Sequence, residues 1–192
     1  MDVDNLVLAS GSPRRKRLLH EAGYQFTVLV ADDAVEESVP KHLSAADFVI
    51  EAATRKGEFV AQNLDNGIVL AADTVAVCDG KILGKPKNRE HAREILQQLS
   101  GTTHRVLTGI FMLNCTTKAH VTHLESTELQ MEVLDSLTLQ EYLNSDKWIG
   151  KAGAFGYQDG IEWVSILNGL ESNVVGLPVE VLPELFKKMG QI

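Results

Sequence analysis

A chain of 192 residues, 44% apolar and 23% charged, can bury about two thirds of its unfolded surface, which excludes a disordered segment and a fold that depends on disulfide staples. Eighteen Lys and Arg against 26 Asp and Glu leave a net charge of −8, which excludes non-specific binding of a nucleic acid polymer and requires any anionic ligand to be recognised locally. No apolar run approaches the ~20 residues of a membrane span, the start MDVDN lacks the basic region of a signal peptide, and Cys78 and Cys115 have neither metal-ligand nor CxxC spacing, so a cytoplasmic protein with core thiols and no membrane contact is expected.

In chain order, NLVLA at 5–9 reads as a short buried strand, broken by Ser10, Gly11 and Ser12. Ser12 as N-cap and Pro13 at the first helical position predict a helix over 13–22 that stops at Gly23. A strand over 25–30 follows, then the acidic segment ADDAVEES as a loop, then a helix capped by Ser44 with Phe48, Ala52, Phe59 and Val60 on its apolar face. IVLAADTVAVCDGKIL reads as a β-hairpin turning on Asp79-Gly80. Asn88 caps a helix whose apolar positions Ala92, Ile95, Leu96 and Leu99 keep helical spacing up to Gly101. Strands over 104–113 and 120–134 pair around NCTTK, and TLQE at 138–141 matches a capping box for a short helix ending near Asn144. GKAGAFGYQDG, with four glycines in eleven residues, is a loop that passes close to something. WVSIL is a strand, and a helix with Leu182, Leu185, Phe186 and Met189 closes the chain, with Pro183 obscuring its start. Helices alternate with strands early and hairpins dominate the middle, so the expected sheet is mixed.

Several polar residues sit where packing alone does not call for them. Arg14 and Arg15 occupy the first turn of a helix, where cations oppose the dipole. They either coat its outer side or clamp a phosphate against the free amides of the SGSP turn. Lys56 lies on the stripe of Val49, Ala52, Ala53 and Val60, either snorkelling at its edge or pointing across a cleft at an anion. Asp73 interrupts a buried strand, and an unpaired buried carboxylate costs several kcal/mol, so a partner has to compensate it: a structural hydrogen bond or salt bridge, a metal, or a role as general base beside Thr74. Taken singly, Lys85 reads as a surface lysine, Glu36 and Glu37 as solvated loop residues, and Lys151 and Gln158 as polar residues on a flexible loop. Among the histidines only His104 starts a strand near these elements, and none forms a metal-spaced pair. Cations for phosphates, carboxylates for a divalent cation and no Ser/His or Cys/His pairing together suggest metal-assisted attack of water on a polyphosphate.

The segments LASGSPRRKRLL, VEES, LAADTVAVCDGKILGKP, LQQLSGTTHRVLTG, KAGAFGYQDG and VVGLP, in that order, resemble the Maf family of nucleoside triphosphate pyrophosphatases over nearly the whole chain. The resemblance implies a single two-lobed α/β domain around a mixed twisted sheet flanked by helices, an inosine triphosphatase-like fold with the nucleotide in a central cleft. It implies hydrolysis of a nucleoside triphosphate to the monophosphate and pyrophosphate with Mg²⁺, Mn²⁺ or Co²⁺. On that reading Asp73 is the catalytic aspartate, as base or metal carboxylate. Ser12, Arg15, Lys56 and Lys85 line the triphosphate site, and Glu36 assists the metal. Arg14, Thr74 and Gln158 resemble the branch acting on dTTP, UTP and modified pyrimidine nucleotides, whereas the branch acting on 7-methyl-GTP carries Trp, Gln and Glu there. Hydrolysis of 7-methyl-GTP and a nucleotide-binding role in septum formation with little turnover are the rival readings; a homodimer is implied by resemblance.

Overall fold

The strand β1 (Leu6–Leu8) is buried at every position, as its apolar run requires. It opens the computed structural model, which describes residues 5–190. Ser12 then caps α1 (Pro13–Glu21), its hydroxyl accepting the Arg15 N–H, and Pro13 takes the first turn. β2 (Thr27–Val28) is shorter than the expected strand. The acidic segment is not a plain loop: α2 (Asp33–Glu37) forms there, with Asp32 accepting the Ala34 N–H at 2.9 Å as its N-cap. α3 (Ala45–Ala61) starts at Ser44 as expected and buries Val49, Ala52, Ala53, Gly57 and Val60, while Phe59, expected inward, is exposed.

The hairpin of β3 (Ile68–Cys78) and β4 (Lys81–Leu83) turns on Asp79 and Gly80 at φ +49° and +74°, the left-handed pair that a two-residue turn demands. α4 (Arg89–Leu99) is capped by Asn88 and buries all four expected apolar residues. β5 (Thr103–Asn114) and β6 (His120–Met131) are antiparallel neighbours. α5 (Ser136–Asn144) starts ahead of the expected capping box, because Asp135 accepts the Thr138 N–H at 2.7 Å and sets the helix start. Short 3₁₀ turns at Ala152–Ala154 and Tyr157–Asp159 organise the glycine-rich segment before β7 (Val164–Asn168). α6 (Glu171–Val175), absent from the sequence reading, precedes α7 (Leu182–Lys188), which accommodates Pro183 in its first turn, where an N–H has no helical acceptor.

The seven strands form one mixed sheet in the order β2-β1-β3-β5-β6-β7, with β4 also on β3; β1 is parallel to β2 and β3, and the remaining pairs are antiparallel. Alternation along β3 sends Val69 and Ala71 to the face covered by α3, where they pack with Ala53, Val60 and Phe111. Leu70 and Ala72 face the other side and pack with α1 and α7 residues. Further along that second face Ala76 and Cys78 join a separate cluster with α4, α5 and Phe155. Both cysteines are free and buried, as core thiols should be. Among the described residues no helix is long and apolar enough to cross a membrane.

Candidate active site

β3 has a different partner at each end of one edge. β1 pairs with Ile68–Leu70, β4 with Ala76–Cys78, and no described strand covers that edge at 71–75. The chain follows β3 one residue beyond β1, where the Ala9 N–H donates to the Leu70 carbonyl at 2.8 Å, and then turns away through Ser10–Ser12 into α1. Asp73 and Thr74 therefore lie at a break in the pairing, Asp73 on the α3 face and Thr74 on the opposite one. A cleft of about 450 Å³ opens there, lined by Ser12, Arg14, Arg15, Glu36, Lys56, Asp73, Thr74 and Lys85. The fold thus gathers eight of the nine candidate residues into one cavity of ligand-binding size.

Lys56 settles the alternatives left by its position on an apolar stripe. Its ammonium donates to Asp73 Oδ1 at 2.6 Å and pairs with Glu36 Oε2 at 2.6 Å, so the lysine crosses from α3 to bridge two carboxylates. Lys85 Nζ stands 3.8 Å from Glu36 Oε1 on the open side. Burial raises the Asp73 carboxyl above its ordinary value; Lys56 opposes the shift, and Glu36 adds to it. Burial acts the same way on Glu36, but Lys56, Lys85 and Arg15 outweigh it and hold that carboxyl below its ordinary value. The two carboxyls are thereby pushed apart, Asp73 upward and Glu36 downward.

Arg15 does not coat the outer side of α1 but lines the cleft. Its guanidinium turns inward, with Nε donating to the Gly176 carbonyl at 2.8 Å, Nη1 to Ser10 Oγ at 3.2 Å and Nη2 to Thr74 Oγ1 at 3.1 Å. Three of its five N–H groups are thus engaged by the protein itself. Thr74 is engaged on the same face, its hydroxyl 2.9 Å from that of Thr108. Arg14 Nη2 donates to the Gly150 carbonyl at 2.9 Å, tying the first turn of α1 to the start of the glycine-rich segment.

Gln158 does not line the main cleft. It lines an adjoining recess of about 50 Å³ that shares Ser12, Arg14, Arg15, Thr74 and Lys85 with the cleft and is closed by Phe155 and Lys151. Lys151, read as a flexible loop residue, is instead largely buried in an ion pair with Asp159. Sequence reasoning also missed Ser10, which accepts from Arg15 and from the Ser12 N–H at 3.3 Å, and Asp32, which lines the cleft. The DDAVE run carried an N-cap signal at Asp32 that its reading as a loop overlooked.

Two carboxylates within 2.6 Å of one ammonium nitrogen converge closely enough to share a cation, and their hard oxygens suit Mg²⁺. No described cluster of three or more His, Cys, Asp or Glu can hold a metal ion. The Lys56 ammonium occupies the point between Asp73 and Glu36, so a divalent cation could use these carboxylates only with that lysine displaced and with other ligands from water and substrate.

A sequence model of the family described as Maf-like protein matches residues 5–189. The dTTP/UTP pyrophosphatase of Rhodopirellula baltica is 49% identical over 189 residues, covering 98% of this chain and 83% of that protein. The dTTP/UTP pyrophosphatase of Pelotomaculum thermopropionicum is 39% identical, covering 98% of both chains. Among solved structures, a HAM1 protein from Coxiella burnetii superposes with a TM-score of 0.53 at 15% identity, covering 98% of this chain and 99% of its own, a likeness of fold alone. With the family's sequence pattern matched from the first strand to the last helix, this chain belongs to the Maf family.

Proposed function

We propose that this protein hydrolyses dTTP and UTP, and modified pyrimidine nucleotides of the same shape, to the monophosphate and pyrophosphate. The observation that carries the reading is Asp73: a buried carboxylate paired with Lys56 in a cleft rimmed by cations, in a chain 49% identical to a dTTP/UTP pyrophosphatase.

The triphosphate lies along the cleft, held by Ser12, Arg14 and Lys85 and by the unbonded N–H groups of Arg15. Asp73 takes a proton from a water whose oxygen attacks the α-phosphorus. As that P–O bond forms, the bond from the α-phosphorus to the oxygen bridging to the β-phosphate breaks, and the electron pair leaves with pyrophosphate. Lys56 holds Asp73 on the side of the attacking water, and Lys85, on the open side of the cleft, offsets the charge that accumulates on the leaving group. Asp73 and Glu36 would hold a divalent cation, Mg²⁺ with Mn²⁺ and Co²⁺ as alternatives, which when bound neutralises phosphate charge. The base lies in the cleft at the mouth of the adjoining recess, which at about 50 Å³ is too small to enclose it, and there the amide of Gln158 offers both a donor and an acceptor to a pyrimidine edge. The enzyme works in the cytoplasm, as a homodimer, on a free nucleotide.

Pyrophosphate release with Mg²⁺, measured over dTTP, UTP, CTP, 7-methyl-GTP and the standard purine triphosphates, tests the reading. Turnover of dTTP and UTP should fall by about 10²- to 10⁴-fold in Asp73→Asn, the usual contribution of a general base. Preference for 7-methyl-GTP would overturn the substrate assignment, and nucleotide binding without turnover would favour the septum-linked regulator.

A further inference from the structure

The glycine-rich segment contains a partly buried ion pair outside the reaction just described. The side chains of Lys151 and Asp159 are 11% and 17% exposed and bond directly to each other across the segment. Such a pair, replaced by apolar side chains of similar size, typically leaves stability unchanged or improved, so stability alone gives little reason for it. Its placement supplies a reason. Asp159 follows Gln158 in one 3₁₀ turn, and Lys151 follows Gly150, whose carbonyl accepts from Arg14. A closed circuit therefore runs from Arg14 to Gly150, through Lys151 and Asp159, to Gln158, and Arg14 and Gln158 line the same recess.

The glycines of the segment fit this circuit. A Cβ at Gly156 would overlap the Lys151 ammonium and the Asp159 carboxylate where they stand, so a larger residue there would oblige these side-chain ends to shift. The Gly156 N–H donates to the Tyr142 hydroxyl at 3.0 Å, and the Gly153 N–H to the Gly84 carbonyl at 3.2 Å, next to Lys85. The backbone is anchored at both of these points, and the ion pair fixes the turn that carries Gln158.

We propose that Lys151 and Asp159 are positioning residues for base selection: the ion pair sets where Gln158 stands at the recess, opposite Arg14, and thereby which nucleobase the enzyme accepts. The inference rests on the assignment of the base to the mouth of the recess. Because the pair acts through Gln158, removing it should mimic removing the Gln158 amide, without adding to that loss.

The test is the ratio of dissociation constants for non-hydrolysable α,β-imido analogues of dTTP and GTP, measured by titration calorimetry, so that it needs no turnover. Asp159→Asn alone leaves a buried lysine unpaired and risks unfolding; the double variant Lys151→Met/Asp159→Leu removes both charges while keeping apolar bulk. Circular dichroism should show it folded. Its dTTP preference should fall by about tenfold, the scale of one or two hydrogen bonds to a base, and match that of Gln158→Ala. Adding Gln158→Ala to the double variant should change the ratio no further. A wild-type ratio in the double variant, equal weakening of both analogues, or additive losses in the triple variant would overturn the inference, as would the absence of base preference in the wild-type protein. Selective binding without pyrophosphate release would instead sink the assigned reaction and leave the ion pair's role standing.

Discussion

His104 lies in β5 with its ring 5.6 Å from that of Phe155 and nearly perpendicular to it, and neither ring nitrogen has a hydrogen-bond partner of normal geometry. Burial pushes its pKa from 6.5 down to about 4, with the backbone at Thr102 opposing part of the shift. The folded ring therefore gives up its proton more readily than the unfolded one, and between pH 6.5 and about 4 the unfolded chain binds more protons. The stability from burying a neutral ring is fully present above pH 6.5 and is lost as the pH falls through that window, by about 3 kcal/mol at most. His104→Leu should flatten this part of the pH dependence: in urea unfolding at pH 7 and 4.5, the stability difference should shrink by about 2 kcal/mol relative to wild type. Equal slopes in the two proteins would show that the ring does not titrate against folding. The same desolvation acts on Asp73, whose neutral form it also favours, and so raises that carboxyl where it lowers the imidazole.

At the scale of elements, the approach of α3 to the sheet sets the distance from Lys56 to Asp73. Gly109 in β5 makes that approach close, because a Cβ there would overlap the backbone of Val49, and backbone cannot rotate aside as a side chain can. Gly57 in α3 makes the second close contact, against the ring of Phe111. Gly109→Ala should push α3 outward, cost about 1–3 kcal/mol as overpacking does, and lower kcat for dTTP further than the stability loss explains, since Lys56 moves with the helix. Gly57→Ala, by contrast, should recover when combined with Phe111→Leu. Unchanged kcat in a folded Gly109→Ala protein would separate the helix position from catalysis. The long elements were legible in the sequence because their signals are local: Ser44 and Asn88 cap α3 and α4, and Asp79-Gly80 fixes the β3–β4 turn. The five-residue helices α2 and α6 were not, because one turn is too short to be stable alone and depends on distant partners. Arg55 Nη1 donates to the Ser38 carbonyl at 3.0 Å just after α2, and Asn173 Nδ2 in α6 donates to the Val106 carbonyl at 3.0 Å and to Thr127 Oγ1 at 2.9 Å. Glu36, carried by α2, was consequently legible as a residue type but not as the second carboxylate on Lys56.

Across the whole molecule, one face of the sheet carries two apolar clusters, and polar residues separate them: Thr74 on β3, Thr108 on β5, Thr127 on β6 and the fully buried Asn173 of α6. Arg15 enters this seam from the edge where β3 lacks a partner. It joins Ser10 before α1, Thr74 in β3 and Gly176 after α6, three segments brought together only by folding. The sequence showed two adjacent arginines at a helix start in a protein of net charge −8, which left an outer coat and a phosphate clamp as alternatives. It did not show that the two side chains diverge, because the acceptors that turn Arg15 inward come from up to 161 residues away. An arginine confined to phosphate binding would leave a folded protein when truncated; one that also satisfies a carbonyl and two hydroxyls should not leave stability intact. Arg15→Ala should lower the unfolding free energy by about 3 kcal/mol, since it strands buried acceptors, in addition to weakening triphosphate binding. Arg15→Lys keeps the charge but lacks the planar fork that reaches three acceptors at once, so it should restore less than half of that stability. Chemical denaturation of the two variants, set beside their KM for dTTP, separates the roles: an unfolding midpoint unchanged in Arg15→Ala would return the side chain to the substrate alone, and a loss of stability with unchanged KM would assign it wholly to the seam.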